Sequence, residues 1–269
     1  MRKTLNNLLV HLFLIHASFV SLFPFLWMVI GTTNSSSEIL KGKFSFGNEL
    51  MINVTNLFSQ TNLGRAFINS LIIAVAGTIA TLLLSSLAGY GFDIYRSKGK
   101  DKLFGVLMLS MMMPFAALMI PLFRMFSGMG LMNTYIAVIL PSITTAFMIF
   151  FFMQSTKSFP RELLQAGRVD GLNEFQLFTR IYMPAMRSTY SAAAIITFMN
   201  YWNSYLWPLI ILQTQDKKTI PLVISSLASA YNPDYGMIMV AIVISTLPSI
   251  LIFFLMQKQF VQGMLGSVK

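Results

Sequence analysis

The sequence has no cysteine and, among 269 residues, only two histidines and nine acidic residues. The absence of cysteine excludes disulfides and thiol nucleophiles, and the few histidines and acids predict no metal site. Charged residues are scarce as well, at 10% of the chain compared with about 25% in a soluble domain. So few polar side chains could not cover a surface in water, which excludes an ordinary soluble domain.

The sequence also has no phosphate-binding G-x-x-x-x-G-K-[ST] loop, so we expect this chain to bind no ATP and to carry no cofactor. In a soluble protein, its net charge of +10 would suggest binding to nucleic acid. Here the basic residues lie between long apolar runs, where such residues orient helices in a membrane. We therefore expect a lipid bilayer around the chain and no nucleic acid.

Hydrophobic residues make up 55% of the chain and form six stretches near the roughly 20 residues that a membrane-spanning helix needs. The stretches are Leu8–Ile30, Phe67–Leu87, Leu103–Phe123, Tyr135–Met153, Tyr190–Leu212 and Met237–Met256. They predict an all-α membrane protein with six transmembrane helices, forming a single domain over residues 1–269. Pro114, Pro121 and Pro208 predict kinks in the third and fifth helices.

Most of the 19 Lys and Arg residues lie at the two ends of the chain, after the second stretch, and between the fourth and fifth stretches. The positive-inside rule then predicts that both termini and the connection over residues 154–188 are cytoplasmic. Residues 31–66 are predicted to be a polar segment on the outer side, too short to form a packed domain.

The cytoplasmic connection has the pattern of a helix, a glycine turn and a second helix. Pro160 and Glu162 suit the first turn of a helix, Gly171 suits the turn, and Asn173 with Gln176 resembles a capping box. The first helix is predicted to have an apolar stripe of Leu163, Leu164, Ala166 and Val169, and the segment to close at Pro184. Two interpretations remain open from this pattern. The segment is either an amphipathic hairpin on the membrane surface or a peg that docks on a cytoplasmic partner.

The fifth stretch has a polar face, because Asn200, Asn203, Ser204 and Trp207 follow the spacing of one side of a helix. Amides bond sugar hydroxyls and an indole stacks on a sugar ring, so these four residues are candidates for a substrate pathway. The alternative is that the asparagines hold neighbouring helices together.

Ionisable residues inside the membrane, which secondary transporters use for ion coupling, are nearly absent. The second, fourth, fifth and sixth stretches contain none, and His11 and His16 in the first are the candidates for a proton relay. This distribution argues against an ion-coupled carrier and in favour of a separate source of energy.

The cytoplasmic connection resembles the EAA loop of ATP-binding-cassette importer permeases, whose pattern is Glu-Ala-Ala, three residues, Gly, then about nine residues to Ile-x-Leu-Pro. Gln165, Ala166, Gly167 and Gly171 occupy the first part, and residues 181–184 the second. Glutamine replaces the family's glutamate at 165, and glycine replaces its second alanine at 167.

Three further runs are similar to the sugar-importing branch of that family, in particular the shorter six-helix permease of maltose-type heterodimers. They are GLMNTYIAVILP (Gly130–Pro141), WNSYLWPLIIL (Trp202–Leu212) and the C-terminal tail (Gln257–Lys269).

The resemblance implies a non-enzymatic, multi-pass permease subunit of the bacterial cell membrane that imports a sugar or oligosaccharide. The implied partners are a second, different permease, two ATPase subunits that bind ATP and magnesium, and an extracellular or periplasmic sugar-binding protein. The implied ATPase-coupling residues are Glu162, Gln165, Ala166, Gly167, Asp170 and Gly171. An ion-coupled carrier of small polar solutes is the alternative.

Overall fold

The computed structural model of the chain describes residues 2–265. Within that range all regular structure is helical, which confirms the all-α class. Met1 and the last four residues of the tail motif lie outside the described residues, as do the two chain ends whose sidedness the charges predict.

In chain order, the α-helices of the described residues are α1 (Arg2–Gly31), α2 (Ser36–Leu40), α3 (Leu50–Gln60), α4 (Leu63–Ile94), α5 (Lys98–Ser110), α6 (Phe115–Gly128), α7 (Tyr135–Ile139), α8 (Ala146–Thr156), α9 (Arg161–Val169), α10 (Glu174–Gln176), α11 (Met183–Ala185), α12 (Arg187–Trp202), α13 (Leu206–Ile211), α14 (Ile220–Ala228) and α15 (Tyr235–Leu265). A 3-10 turn, Leu140–Ser142, follows α7, and a π-helix, Leu177–Tyr182, joins α10 to α11.

Three helical stretches of the described residues are each long and apolar enough to cross a membrane: Leu9–Gly31 in α1, the whole of α4, and Tyr235–Gln257 in α15. Two bent pairs, α5 with α6 and Tyr135–Ser142 with α8, bring the number of candidate spans to as many as five. The remaining predicted stretch, Tyr190–Leu212, is interrupted, because α12 ends at Trp202 and α13 begins at Leu206. Helices therefore follow all six predicted stretches, but three of the stretches are broken.

Prolines account for two of these breaks. The kink predicted at Pro114 is confirmed, since α5 and α6 meet there at 99° and Pro114 is the N-cap of α6. Pro208 lies in the first turn of α13, where its missing N–H is not needed. A proline ring clashes with the carbonyl four residues earlier, which disfavours a continuous helix through Ser204, and α12 ends at Trp202. Pro121, by contrast, lies inside an uninterrupted α6.

The described residues fall into two compact units, one within Met1–Gly64 and Val223–Leu247 and the other within Arg65–Leu222 and Pro248–Lys269. In the first unit, the polar segment is ordered by buried amides. Asn53 donates to the carbonyls of Thr32 and Asn34 at 2.8 and 3.0 Å, and Ser36 donates to Asp234 at 3.1 Å. The prediction of one domain over residues 1–269 stays a prediction.

The second unit contains the helices that form the sites described below. One of its apolar clusters joins the end of α4 to residues 159–186, with Leu164, Leu177 and Tyr182 almost fully buried. Another packs Met148 and Phe152 of α8 against Ala193 of α12.

Candidate functional site

A cavity of about 420 Å³ lies beside the break between α12 and α13. Its walls come from α4, α6, the region from α7 to α8, and the two sides of the break. The lining residues are Thr81, Phe115, Val138, Ser142, Thr145, Met148, Thr197, Asn200, Tyr201, Ser204 and Trp207.

Three of the four residues predicted for the polar face of the fifth stretch line this cavity, namely Asn200, Ser204 and Trp207. Asn203 does not line it: this residue is the C-cap of α12 and is exposed. The expected helical spacing ends with α12 at Trp202, so the break removes Asn203 from the shared face.

The aromatic groups of the cavity have their polar atoms bound to protein. The Trp207 indole N–H donates to the Ala137 carbonyl at 2.9 Å, and its ring packs edge-on against Phe115. The Tyr201 hydroxyl lies 3.2 Å from the Thr81 hydroxyl and 3.3 Å from the Ile139 carbonyl. These contacts fix the rings as rigid walls of the cavity.

The two sides of the break contribute two polar side chains that are available to a ligand. Within the described residues, the Asn200 amide and the Ser204 hydroxyl make no hydrogen bond to protein, and both have solvent-accessible surface. An amide both donates and accepts, and a hydroxyl does the same, so together they suit a neutral ligand rich in hydroxyl groups.

The second candidate site is the segment from α9 to α11, residues 161–185. The predicted order of helix, glycine turn and helix is confirmed. Asn173 and Gln176 form the predicted capping box: the Asn173 side chain accepts from the Gln176 N–H, and the Gln176 side chain accepts from the Asn173 N–H. Pro184 does not close the segment, because it lies within α11 and α12 follows directly.

Five of the six residues predicted to couple the chain to an ATPase are exposed. They are Glu162, Gln165, Ala166, Asp170 and Gly171. Val169, predicted to share a buried apolar stripe with Leu164, is instead 88% exposed, whereas Leu164 is 1% exposed. The exposed side of α9 thus combines an acid, an amide and two small apolar side chains.

Gly167, the sixth predicted coupling residue, is buried. A Cβ atom at this position would lie 2.5 Å from Ile181 Cδ1 and 2.6 Å from Leu177 Cδ2. Gly167, where the sequence departs from the family pattern, therefore lets α9 pack closely on the π-helix. Because Gly167 is buried, it cannot contact a partner protein.

Gly171 makes the turn that ends α9. Its φ of +78° lies in the left-handed region, and no atom lies within 4 Å of where a Cβ would be. Glycine is therefore required here by the backbone and not by space. Across this turn Arg168 bonds Glu174 at 3.1 Å. Hydrogen bonds from Tyr95 and Arg168 hold the pKa of Glu174 below its ordinary value.

An ion pair between the end of α4 and the start of α9 was not predicted from the sequence. The Asp93 carboxylate is 3% exposed and accepts a hydrogen bond from Arg161 at 3.0 Å. A buried carboxylate needs such a partner, so this bond fixes the first residue of α9 to α4. The sequence does show an acidic residue directly after a long apolar run. It does not indicate the partner of that residue, because the two paired residues are 68 positions apart.

The chain matches one protein-family model and is similar to several transport permeases. The model of the family described as "Binding-protein-dependent transport system inner membrane component" matches residues 84–266. The lactose transport system permease protein LacG of Rhizobium radiobacter is 55% identical over 269 residues, covering 100% of this chain and 98% of that protein. The arabinooligosaccharides transport system permease protein AraQ of Bacillus subtilis is 37% identical over 264 residues, covering 96% of this chain and 94% of that protein.

Among solved structures, a chain of a bacterial ABC transporter involved in the import of the acidic polysaccharide alginate has a similar fold. The match has a TM-score of 0.85 at 18% sequence identity and covers 97% of this chain and 98% of that chain.

Proposed function

Because the chain belongs to the family of binding-protein-dependent transport system inner membrane components, we propose that it forms part of the path of a short sugar across the membrane. Family membership makes it the permease subunit of an ATP-binding-cassette importer, a multi-pass protein of the bacterial inner membrane and not an enzyme. It also implies partners of two kinds, an ATPase and a binding protein. The ion-coupled carrier is not favoured, because members of this family work in binding-protein-dependent systems.

We propose the complete assembly as this chain, a second and different permease, two ATPase subunits that bind ATP and magnesium, and an extracellular sugar-binding protein. In this arrangement both chain ends and residues 161–185 are on the cytoplasmic side. The two ends of α4 contact different segments, since Asn69 near its start bonds residues 216 and 218 and Asp93 near its end bonds Arg161. The loop around residue 216 is therefore at the end of α4 remote from α9.

The exposed side of α9 is the proposed docking surface for an ATPase subunit. Glu162, Gln165, Ala166 and Val169 recur at helical spacing on this side, and all four are exposed. The opposite side is held by the buried Leu164 and Gly167, so the surface rests on a packed support. ATP binding would act on the permease only through the difference in affinity of the ATPases for its two states.

The proposed cargo is a disaccharide or short oligosaccharide. The relatives LacG and AraQ carry lactose and arabinooligosaccharides in their names and cover nearly the whole chain. The observation that carries the proposal is that Asn200 and Ser204 face a cavity whose remaining walls include the rings of Tyr201, Trp207 and Phe115. At about 420 Å³ it is within the roughly 300–1,000 Å³ of small-molecule sites.

Replacing Asn200 with alanine is expected to lower sugar uptake by about five- to tenfold, since one hydrogen bond to a neutral hydroxyl contributes about 1 kcal/mol. The measurement is ATP-driven uptake of radiolabelled lactose, and of an arabinooligosaccharide, by proteoliposomes that contain the importer and its binding protein.

Asn203→Ala is the matched control, because it removes the same side chain three residues away and outside the cavity. Its uptake should stay within about twofold of the unmodified importer, a change well under 1 kcal/mol. Equal losses in both variants, or a loss in Asn203→Ala alone, would assign the asparagines to helix packing and refute the cavity as the sugar path.

A further inference from the structure

Asn133 belongs to the GLMNTYIAVILP run (Gly130–Pro141), to which the proposed function so far gives no role. It has a φ of +60°, which among non-glycine residues is uncommon. Its side-chain oxygen accepts from the backbone N–H of Gln213 and Thr214 at 3.1 and 3.3 Å and from the Thr214 hydroxyl at 3.2 Å. Its amide nitrogen lies 2.9 Å from the same hydroxyl, and its backbone N–H donates to the Ile211 carbonyl at 3.0 Å.

These bonds attach to the end of α13, the short helix that contributes Trp207 to the cavity. At its other end, α13 is separated from α12 by the break at residues 203–205. Near its start, the Trp207 indole donates to the carbonyl of Ala137 in α7. The start of α13 is therefore bound to α7, and the end of α13 is bound to the turn that precedes α7.

Two further side chains extend this connection to the start of α4. The Tyr135 hydroxyl at the first residue of α7 donates to the Asn69 amide oxygen at 2.6 Å. The Asn69 amide nitrogen donates to the carbonyls of Asp216 and Lys218, both at 2.8 Å, and Asn69 itself is fully buried. We call Asn69, Asn133 and Tyr135 the clasp.

We propose that the clasp, through Asn133, is a positioning device that makes α7 and α13 move as one wall and keeps the cavity closed to the outer side. The proposal rests on the proposed function, because the wall matters for transport only if the cavity carries the sugar. None of the clasp residues lines the cavity, so the clasp acts through the wall and not on the sugar.

The test uses the absence of native cysteine in this chain. A single cysteine, Ser142→Cys, is placed in the cavity lining, and the assembled importer in right-side-out vesicles is treated with a membrane-impermeant maleimide. Asn133→Gly keeps the left-handed backbone but removes every side-chain bond of the clasp at this residue. Asn133→Asp keeps the oxygen that accepts from residues 213 and 214 and tolerates the same backbone.

We expect Asn133→Gly to raise the rate at which the introduced cysteine is labelled by about tenfold or more, since several hydrogen bonds are lost together. Asn133→Asp should stay within about twofold of the importer that carries Ser142→Cys alone. If glycine instead behaves like asparagine, the residue serves only the backbone conformation and the proposal is overturned.

A second variant protects the test against poor assembly of the glycine variant. Thr214→Val keeps the shape of the side chain but removes the hydroxyl that bonds both polar atoms of Asn133. It should raise labelling by about threefold, and an unchanged rate would refute the clasp.

Protection of the introduced cysteine by lactose is measured separately. Labelling that responds to Asn133→Gly but not to lactose supports the clasp and refutes the cavity as the sugar path.

Discussion

Replacing Val169 with aspartate should reduce ATP-driven uptake by about 100-fold, which corresponds to about 2.7 kcal/mol of lost docking free energy. Val169 is 88% exposed at the end of α9, an unusual position for a β-branched apolar side chain. On the proposed docking surface it would lose its water on contact with the ATPase. A carboxylate at the same place would have to be desolvated without a partner, which costs several kcal/mol.

The measurement pairs uptake with the amount of ATPase that co-purifies with the chain. Val169→Thr is the matched control, because it keeps the shape and stays uncharged, and we expect at most about a threefold loss. Membrane insertion and thermal stability should be unchanged in both variants, since the side chain of Val169 is 88% exposed. Normal uptake by Val169→Asp would show that the exposed side of α9 does not dock.

Gly171→Val should also lower uptake strongly, by about tenfold or more, while the ATPases remain bound. Valine fits the open space at this turn, but a β-branched residue at φ +78° strains the backbone by about 1–2 kcal/mol or more. The turn carries the bonds from Gly171 N–H to the Arg168 carbonyl and from Leu172 N–H to the Gly167 carbonyl. Strain relieved by breaking them would loosen α9 from α10, so ATP hydrolysis would continue without moving the permease.

The ratio of sugar imported to ATP hydrolysed checks this prediction in the same proteoliposomes. Asn tolerates the left-handed region, so Gly171→Asn adds a side chain with little strain and should keep the ratio within about twofold of the unmodified importer. An unchanged ratio in Gly171→Val would contradict the role of the turn. Equal losses in both variants would mean that the added side chain itself, and not the backbone, disturbs transport.

The sequence was sufficient to predict the helical fold, because the apolar stretches and the scarcity of charge are properties of local composition. The break between Trp202 and Leu206 was not predicted. Pro208 indicates a kink within one helix as readily as the first turn of a new one, and the choice depends on how α13 binds α7. This break in turn decided that Asn200 and Ser204, but not Asn203, line the cavity.

The segment that follows α8 shows the same limit. Helix, turn and capping box were predicted because each is encoded within a few residues. The buried face of α9 was not predicted correctly. Apolar periodicity grouped Val169 with Leu164, but the close approach of the π-helix at Gly167 leaves Val169 on the exposed side. The pair Asp93–Arg161 and the clasp at Asn133 join residues distant in sequence, and a single sequence does not indicate such pairs.

In the proposed assembly this chain is one permease of an ATP-driven importer built from different subunits. The assembly is tested by affinity purification of the chain in mild detergent, with quantitative mass spectrometry of the purified complex. We expect one copy of a second, different permease and two copies of a nucleotide-binding ATPase for each copy of this chain. Recovery of the chain alone or as a homo-oligomer, still able to take up sugar in liposomes without ATP, would contradict it.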